Sequence, residues 1–475
     1  MSEESQMPSE PERPAEDSPT KGVKILMGEP KKAIIKLAIP MIIAMSAMTI
    51  YNLVDAIWVS GLGINALDAV GLYYPFFFIA MAIATGLGVG GGAAISRRIG
   101  AKDREGADNV AIHTLIIMVI MAVLFTIPFF IFAENIFSTF ASGEVKDMAT
   151  AYGRIIFAGS VVIFFMYIAT SILRAEGDAN RSMYAIMLGA GLNIGLDPIF
   201  IYTLELGVVG AAWATVISMI VTSIVLIYWM FIKKDTYVAF KFRSFQWKGE
   251  IIKDIFAVGL PAMVMQLSMA IMAVVLNYII VNVSVKGGIA VYTVGWRVSM
   301  MAILPLLGIA TAIVSVCGAA YGARDYEKLK SSFFYAVKIG LVIESIMALF
   351  TVIFAHQITM VFTQAEGTAL IEQELPNYFR IVAIFYPGVA FGMFSSAMFQ
   401  GTGKGTNALI VTIVRTLVLG TPLAAIFAIN LGMGLSGVWW GMVVGNLIGS
   451  VLAFSWAIIY LRRLRSEMQN SASLS

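Results

Sequence analysis

From about residue 33 onward the chain is a succession of apolar runs, each about twenty residues or longer, separated by short polar or charged breaks. A run of about 20 apolar residues is what a helix needs to cross the hydrocarbon core of a bilayer. The breaks divide the chain into about twelve such runs. Strands of a membrane barrel would alternate polar and apolar residues with a period of two, and these runs do not. With 59% hydrophobic and 13% charged residues, and a mean hydropathy of +0.85, there is too much apolar surface for one soluble core. The expected fold is an all-α polytopic membrane protein.

Charge placement gives the topology. Basic residues recur after every second run: Arg97, Arg98, Lys102 and Arg104, then Arg174 and Arg181, then Lys233, Lys234, Lys241, Arg243 and Lys248. The same spacing continues with Arg324, Lys328 and Lys330, then Lys404, then Arg462, Arg463 and Arg465. The intervening breaks hold few. Positively charged loops stay cytosolic, so an even number of spans with this bias puts both termini in the cytosol. The first residues, acidic and rich in Pro and Ser, lack the basic start and apolar core of a signal peptide; residues 1–29 are read as a disordered cytosolic tail.

The sequence repeats. IGAKDRE (Ile99 to Glu105) matches YGARDYE (Tyr321 to Glu327), and the run opened by Pro40 matches that opened by Pro261. LRAEGDAN (Leu173 to Asn180) resembles FQGTGKGT (Phe399 to Thr406), and GVVGAAWA (Gly207 to Ala214) resembles GLSGVWWG (Gly434 to Gly441). All four pairs keep their order at offsets of about 221 to 227 residues. Two six-helix lobes follow, residues 30–233 and 254–464, joined by a cytoplasmic linker at 234–253 and followed by a tail at 465–475. Six is even, so the lobes enter the membrane in the same direction and are related by a pseudo-two-fold along the membrane normal, as in some secondary transporters.

The first run carries both Pro40 and Asp55. An aspartate at the centre of a membrane helix costs roughly 2.5 to 3.5 kcal/mol on insertion scales, and such acids usually mark ion or proton paths. Pro40 removes a backbone donor and leaves the helix free to kink. The first half also holds Asn193 and Asp197 in helix 5 and Thr215 in helix 6, where the second half has Leu419, Leu423 and Met442. Asn193 and Asp197 are four apart and share a helix face. At 1.5 Å per residue, Asp197 lies roughly 24 Å above the cytosolic end of its helix, and Asp55 and Thr215 reach a similar level. Asp55, Asn193, Asp197 and Thr215 therefore form an oxygen-rich cluster suited to Na⁺, to a shared proton, or to both in competition, since two nearby carboxylates cannot both stay charged cheaply. The alternative is a polar network that only joins helices 1, 5 and 6. Tyr51 and Tyr152 either border the first-half cavity or serve as packing and interface anchors. Glu344, Arg297 and Arg415 pair structurally or line a second-half cavity. The 28 methionines and 12% aromatic content would suit an adaptable surface for organic ligands, yet most such side chains are expected to face lipid.

Other chemistry is disfavoured. Cys317 stands alone in an apolar run and is read as packing, and His113 and His356 are too far apart in sequence to suggest a metal site. GLGVGGG (Gly86 to Gly92) contains a G-x-G-x-x-G spacing but follows no strand, so its glycines are read as close helix packing. GTGKGT (Gly401 to Thr406) lacks Walker spacing. No nucleophile, metal triad or base pair clusters. An enzyme, a nucleotide-driven pump, a cofactor and a nucleic-acid partner are not expected; the expected partners are small molecules and membrane lipids, and the expected state is a monomer.

YNLVDAIWVSGLG, RRIGAKDREGADN, ILRAEGDANR, LNIGLDPIFIY, GVVGAAWAT and AAYGARDYEK together resemble the multidrug and toxic compound extrusion family, MATE, specifically its DinF-like prokaryotic branch and its archaeal members. The likeness runs from about Pro30 to Leu464. It implies two lobes around a central cleft in the cytoplasmic membrane and export of organic cations or other amphipathic compounds driven by H⁺ or Na⁺. It further implies that Asp55 and Asp197 couple transport to the ion, that Asn193 and Thr215 complete the cation site, and that helix 1 bends at Pro40. Tyr51, Tyr152 and Asn180 fall at motif positions near that network. The NorM-like branch carries acids in helices 7 and 10, and the corresponding stretches here, Pro261 to Val281 and Tyr378 to Phe399, contain none. Where close relatives have Gln and Asn in the first-lobe cavity, this chain has Met48 and Thr170, a less polar lining. A flippase for lipids or lipid-linked precursors, a role of distant relatives, is the alternative; a strongly cationic central cavity would favour it.

Overall fold

The computed structural model describes residues 19–233, 235–240, 245–284, 287–363 and 369–472. Among them, twelve helices are long and apolar enough to cross a membrane. The first six are Pro30–Ser60, Ile64–Gly100, Arg104–Ile131, Gly143–Ala175, Ala179–Thr203 and Gly207–Ile232. The second six are Gly249–Val283, Gly288–Gly322, Tyr326–Ile353, Leu370–Gly401, Gly405–Asn430 and Gly434–Asn470. No strand occurs among the described residues.

The repeated motifs are helix punctuation. In both copies of G-A-[KR]-D, the basic residue takes a left-handed conformation, Lys102 at φ 59° and Arg324 at φ 55°, which ends the helix. The following aspartate caps the next helix: Asp103 Oδ1 accepts from Gly106 N at 2.8 Å, and Asp325 Oδ1 from Lys328 N at 2.9 Å. A side-chain acceptor at this position satisfies one of the orphan N–H groups of a helix start. The motif's glycine serves the lobe contact. A Cβ on Gly100 would run into the Ala319 carbonyl, and one on Gly322 into the Arg97 carbonyl. These are the same contact seen from either side of the pseudo-two-fold.

A second symmetric pair sits deeper. A Cβ on Gly86 would lie 2.8 Å from the Gly259 carbonyl oxygen, and one on Gly308 would lie 3.2 Å from that of Ala38 and 2.9 Å from the Ile42 nitrogen. Small residues let membrane helices approach backbone to backbone where no hydrophobic drive between helices exists. Arg97 fastens the same end, donating to Asp254 at 2.7 Å and to the Gly401 carbonyl at 3.1 Å.

Three boundaries differ from the sequence reading. Residues 1–18 lie outside the described residues, but Lys21–Met27 is a helix, with Val23 and Leu26 buried. Thr20 accepts from Val23 N, and Gly22 packs against the backbone of Glu176 to Asp178, so apolar residues within the polar tail give its last part a docked helix. The seventh span starts at Gly249, which shortens the linker. The twelfth helix continues to Ala472, past the expected end at Leu464, because its polar last turns need only helical hydrogen bonds outside the apolar layer.

The linker is strapped to the first lobe. Tyr237 N and Val238 N both donate to Glu176 Oε2, at 3.0 and 3.1 Å. Ala239 N donates to Asp108 Oδ1 at 2.8 Å. Lys248 N donates to His113 Nε2 at 3.1 Å, while His113 Nδ1 lies 2.9 Å from the Asn109 carbonyl, a pattern that fixes the neutral Nδ1–H tautomer. Burial pushes the Glu176 carboxyl up to about 8, overcoming the two backbone donors and Arg181, which favour its charged form.

That shift has a definite sign in stability. The folded carboxyl holds its proton up to about pH 8, whereas the unfolded one releases it near its ordinary value of 4.5. Its contribution is therefore whole below the unfolded value, falls as pH rises between the two, and is level above the folded one. The wild-type melting temperature should contain a component that declines from about pH 5 to about pH 8, and Glu176→Gln, which keeps an acceptor for both N–H groups but cannot ionise, should remove it. Parallel melting curves for the two proteins across that range, by scanning fluorimetry in detergent, would refute the assignment.

Candidate functional site

Pro198 lacks an N–H, so the α-helical hydrogen-bond ladder cannot pass through it unchanged. The fifth span widens to a π-turn at Ile199–Thr203 directly after it, an irregularity often found at functional sites. Asp197 sits on the shoulder of that turn, fully buried at 0% exposure.

One turn back, Asn193 is buried and bridges the fifth and sixth spans. Its amide nitrogen donates to Asp197 Oδ2 at 2.8 Å, and its amide oxygen accepts from Thr215 Oγ1 at 3.1 Å and Thr215 N at 3.2 Å. From the first span, Asp55 brings its carboxyl within hydrogen-bonding reach of the Asp197 carboxyl. No N–H or O–H donor among the described residues reaches Asp197 Oδ1. Ionised carboxylates only accept, so two in contact need a proton on one of them or a cation between them. Tyr51, one turn before Asp55, reaches Thr215 through its hydroxyl. The structure thus brings together Asp55, Asn193, Asp197 and Thr215, with Tyr51 at the edge.

The cluster stands behind the wall of a cavity of about 230 Å³ in the first lobe. Tyr51, Asn193 and Thr215 belong to that wall, as do Met48 and Thr170, whereas Asp55 and Asp197 do not. Met48 Sδ lies 4.0 Å from the Tyr167 hydroxyl. Thr170 spends its hydroxyl on the Met166 carbonyl at 2.9 Å, so it adds little polarity. Thr311 of the eighth span also lines the cavity, which therefore touches the second lobe. Pro40 is buried in the first span, which runs unbroken as a helix from Pro30 to Ser60.

Two expected cavity residues lie elsewhere. Asn180 is exposed in the first turn of the fifth span, at the basic-loop end, about three and a half turns below Asn193 in a helix of 3.6 residues per turn. Tyr152 is buried against Tyr73, ring centroids 5.3 Å apart, in an aromatic cluster with Phe157 outside the cavity lining.

The reading from sequence also missed features. Arg174, counted among the loop residues that set topology, lines the cavity and donates to Ser182 Oγ at 3.2 Å. Met41, Met45, Met48, Met166 and Met219 all line it and supply the adaptable thioether surface that the composition suggests; which methionines do so depends on their facing along helices 1, 4 and 6. In the second lobe Glu344 is fully buried and both its carboxyl oxygens lack a hydrogen-bond partner among the described residues. Arg297 is exposed on the eighth span, and no ion pair joins Glu344 to Arg297 or Arg415 among the described residues.

Twelve spans in two lobes, with a carboxyl pair beside an intralobe cavity, define a membrane transporter. The family model MatE matches residues 40–199 and 261–426, two stretches that open on the repeat-related Pro40 and Pro261, and the chain belongs to that family. It is 26% identical over 449 residues to the multidrug export protein MepA of Staphylococcus aureus strain N315, covering 93% of this chain and 96% of that protein. Among solved structures, a multidrug resistance MATE family transporter of the MOP superfamily in an outward-facing conformation is 49% identical, with a TM-score of 0.92 over 95% of this chain and 100% of that one. A MATE protein in a bent conformation is 48% identical, with a TM-score of 0.91 over 95% of this chain and 100% of that one.

The cluster's geometry sets its response to truncation. Asp197→Asn leaves an acceptor for Asn193 and supplies an N–H toward Asp55, so stability should change by no more than about 1 kcal/mol. Asp197→Ala strands the buried Asn193 amide and the Asp55 carboxyl and should cost about 1–3 kcal/mol. Comparing the two variants' melting temperatures in one detergent tests this; equal losses would mean that the network holds nothing.

Proposed function

We propose that the chain is a secondary active exporter of organic cations or other amphipathic compounds, driven by inward movement of H⁺, Na⁺ or both through the first lobe. The observation that carries this is the contact between the Asp55 and Asp197 carboxyls beside the first-lobe cavity. The pair needs a proton or a cation to be stable, and it shares Thr215 and Asn193 with the cavity wall. An ion bound at the carboxyls therefore acts on the wall without entering the substrate's volume. Hard oxygen ligands from Asp55, Asn193, Asp197 and Thr215 suit Na⁺ better than a transition metal, and H⁺ competes for the same oxygens. MepA, named as a multidrug exporter, supports the reading of the substrate class, and the methionine-rich lining suits ligands of varied shape. In this reading the basic-loop end is cytosolic in the cytoplasmic membrane.

An ion drives transport only through different affinities in the two lobe conformations. The first span is the moving part in this proposal, bending at Pro40, and a relative solved in a bent conformation supports it.

In vesicles carrying an imposed pH or Na⁺ gradient and a fluorescent organic cation, Asp55→Asn should insert normally and lose uphill export. Na⁺ affinity of the wild type should fall as pH is lowered, because protons and Na⁺ compete, and should be weaker in Asp197→Asn. Wild-type export by Asp55→Asn, or Na⁺ affinity that ignores both pH and the substitution, would leave the cluster a structural network. Pro40→Ala restores the missing N–H and should slow export several-fold while ligand affinity stays within about threefold, less than 1 kcal/mol; an unchanged turnover would make Pro40 a static feature.

A further inference from the structure

The second lobe has a cavity of its own, of about 60 Å³, between the seventh, eighth, tenth, eleventh and twelfth spans. Its wall is mostly apolar, with Met269, Met300 and Trp296 among its residues, and it holds no acidic side chain. Arg415 is part of that wall and is only 8% exposed. Its Nε and Nη1 have no hydrogen-bond partner, and no carboxylate forms an ion pair with it among the described residues. A buried charge is normally paired, because leaving it alone in a low dielectric is costly.

The surroundings make room for this guanidinium. A Cβ on Gly392 would stand 2.7 Å from Arg415 Nη1, and one on Gly449 would stand 2.8 Å from Arg415 Cβ. Arg415 lies in a π-helical stretch, Val414–Gly420, a form that recurs at functional sites. Asn446, also in the wall, accepts from Ser450 Oγ through Oδ1 at 3.4 Å, so what it can offer an occupant is its NH₂. The register that pairs Asn193 with Leu419 sets Arg415 opposite Gly189, which lines the first-lobe cavity. The first lobe thus keeps its two acids behind its cavity wall, whereas the second lobe sets a cation in the wall of its own.

We infer that the second-lobe cavity is a subsite for an anionic group, a carboxylate or phosphate carried on an apolar body, with Arg415 as the cation that receives it. The planar guanidinium offers parallel N–H donors that match two oxygens of such a group, and the thioethers and indole take the adjoining hydrocarbon. The anion can come from a free amphiphile or from a lipid headgroup. The readout is binding at Arg415, so it stands or falls apart from the cation coupling proposed for the first lobe.

The test uses the purified full-length chain and dansylaminoundecanoate, read by energy transfer from tryptophan, with its methyl ester as the uncharged control. Wild type should bind the carboxylate at least about tenfold more tightly than the ester, the range of a charged hydrogen bond. Arg415→Gln should abolish that preference, and Arg415→Lys should restore part of it. Gly392→Ala keeps the charge but crowds the guanidinium, and should weaken the preference even if the Arg415 variants fold poorly. Competition by decanoate more than by soluble short-chain phosphatidylglycerol would identify a free amphiphile as the source, and the reverse order a lipid headgroup. Equal affinity of wild type for acid and ester, an undiminished preference in both Arg415→Gln and Gly392→Ala, or no competition by either anion would overturn the assignment.

Discussion

The two lobes touch through backbone, and everything that moves must move about those contacts. Gly100 against Ala319 and Gly322 against Arg97 are one crossing repeated by symmetry, and so are Gly86 against Gly259 and Gly308 against the Ala38–Ile42 turn. A methyl group at any of these glycines would meet backbone, joined at Gly86 by the Met263 side chain and at Gly308 by that of Ile42, so a rotamer change alone cannot relieve the approach. In a bilayer, where apolar side chains gain nothing by leaving lipid, such close approach is the main source of helix association. Arg97 adds a polar fastening on one side only, with Asp254 and the Gly401 carbonyl.

Against that symmetric frame the chemistry is unsymmetric. The first lobe sets a buried acid, Asp197, and a half-buried one, Asp55, against an amide and a hydroxyl, and opposite Asn193 and Asp197 the second lobe has Leu419 and Leu423. The second lobe instead buries Arg415 without a counter-charge and Glu344 without a donor among the described residues. A membrane protein holds unpaired polar groups at such depth at a cost of several kcal/mol each, and duplication of the fold did not impose these.

Much of this was legible beforehand for identifiable reasons. Span number follows from apolar run length, and the duplication from G-A-[KR]-D, whose residues are constrained by a left-handed turn, a helix cap and a backbone crossing at once. The cluster was legible because a carboxylate in an apolar run is expensive and because rise per residue converts position into depth. What stayed hidden depends on azimuth. Tyr152 and Tyr51 look alike in sequence, yet one faces an aromatic core and the other the cavity. Asn180 shares a motif with the network but sits about three and a half turns from Asn193. Arg174 reads as a loop charge because its run ends there, and only packing shows that its side chain turns into the cavity. The docked helix at Lys21–Met27 depends on Val23 and Leu26 finding a surface beside Gly177, which no local pattern announces.

The first span connects the two themes. At one end Asp55 touches Asp197, and near the other Ala38 and Ile42 pack on Gly308 of the opposite lobe. Pro40 lies between those two residues, where its missing N–H leaves the Lys36 carbonyl without an intrahelical partner. The repeat places Pro261 in the same relation to Gly86, yet the seventh span carries no acid from Pro261 to its end at Val283. A change of bend at Pro40 swings the Asp55 end relative to a fulcrum clamped by Gly308, so it alters the carboxyl contact and the lobe contact together. A change of bend at Pro261 reaches the lobe contact alone. A single helix that reaches the carboxyl contact, the cavity wall and the lobe interface ties the geometry of all three together, because neither end can shift without the other.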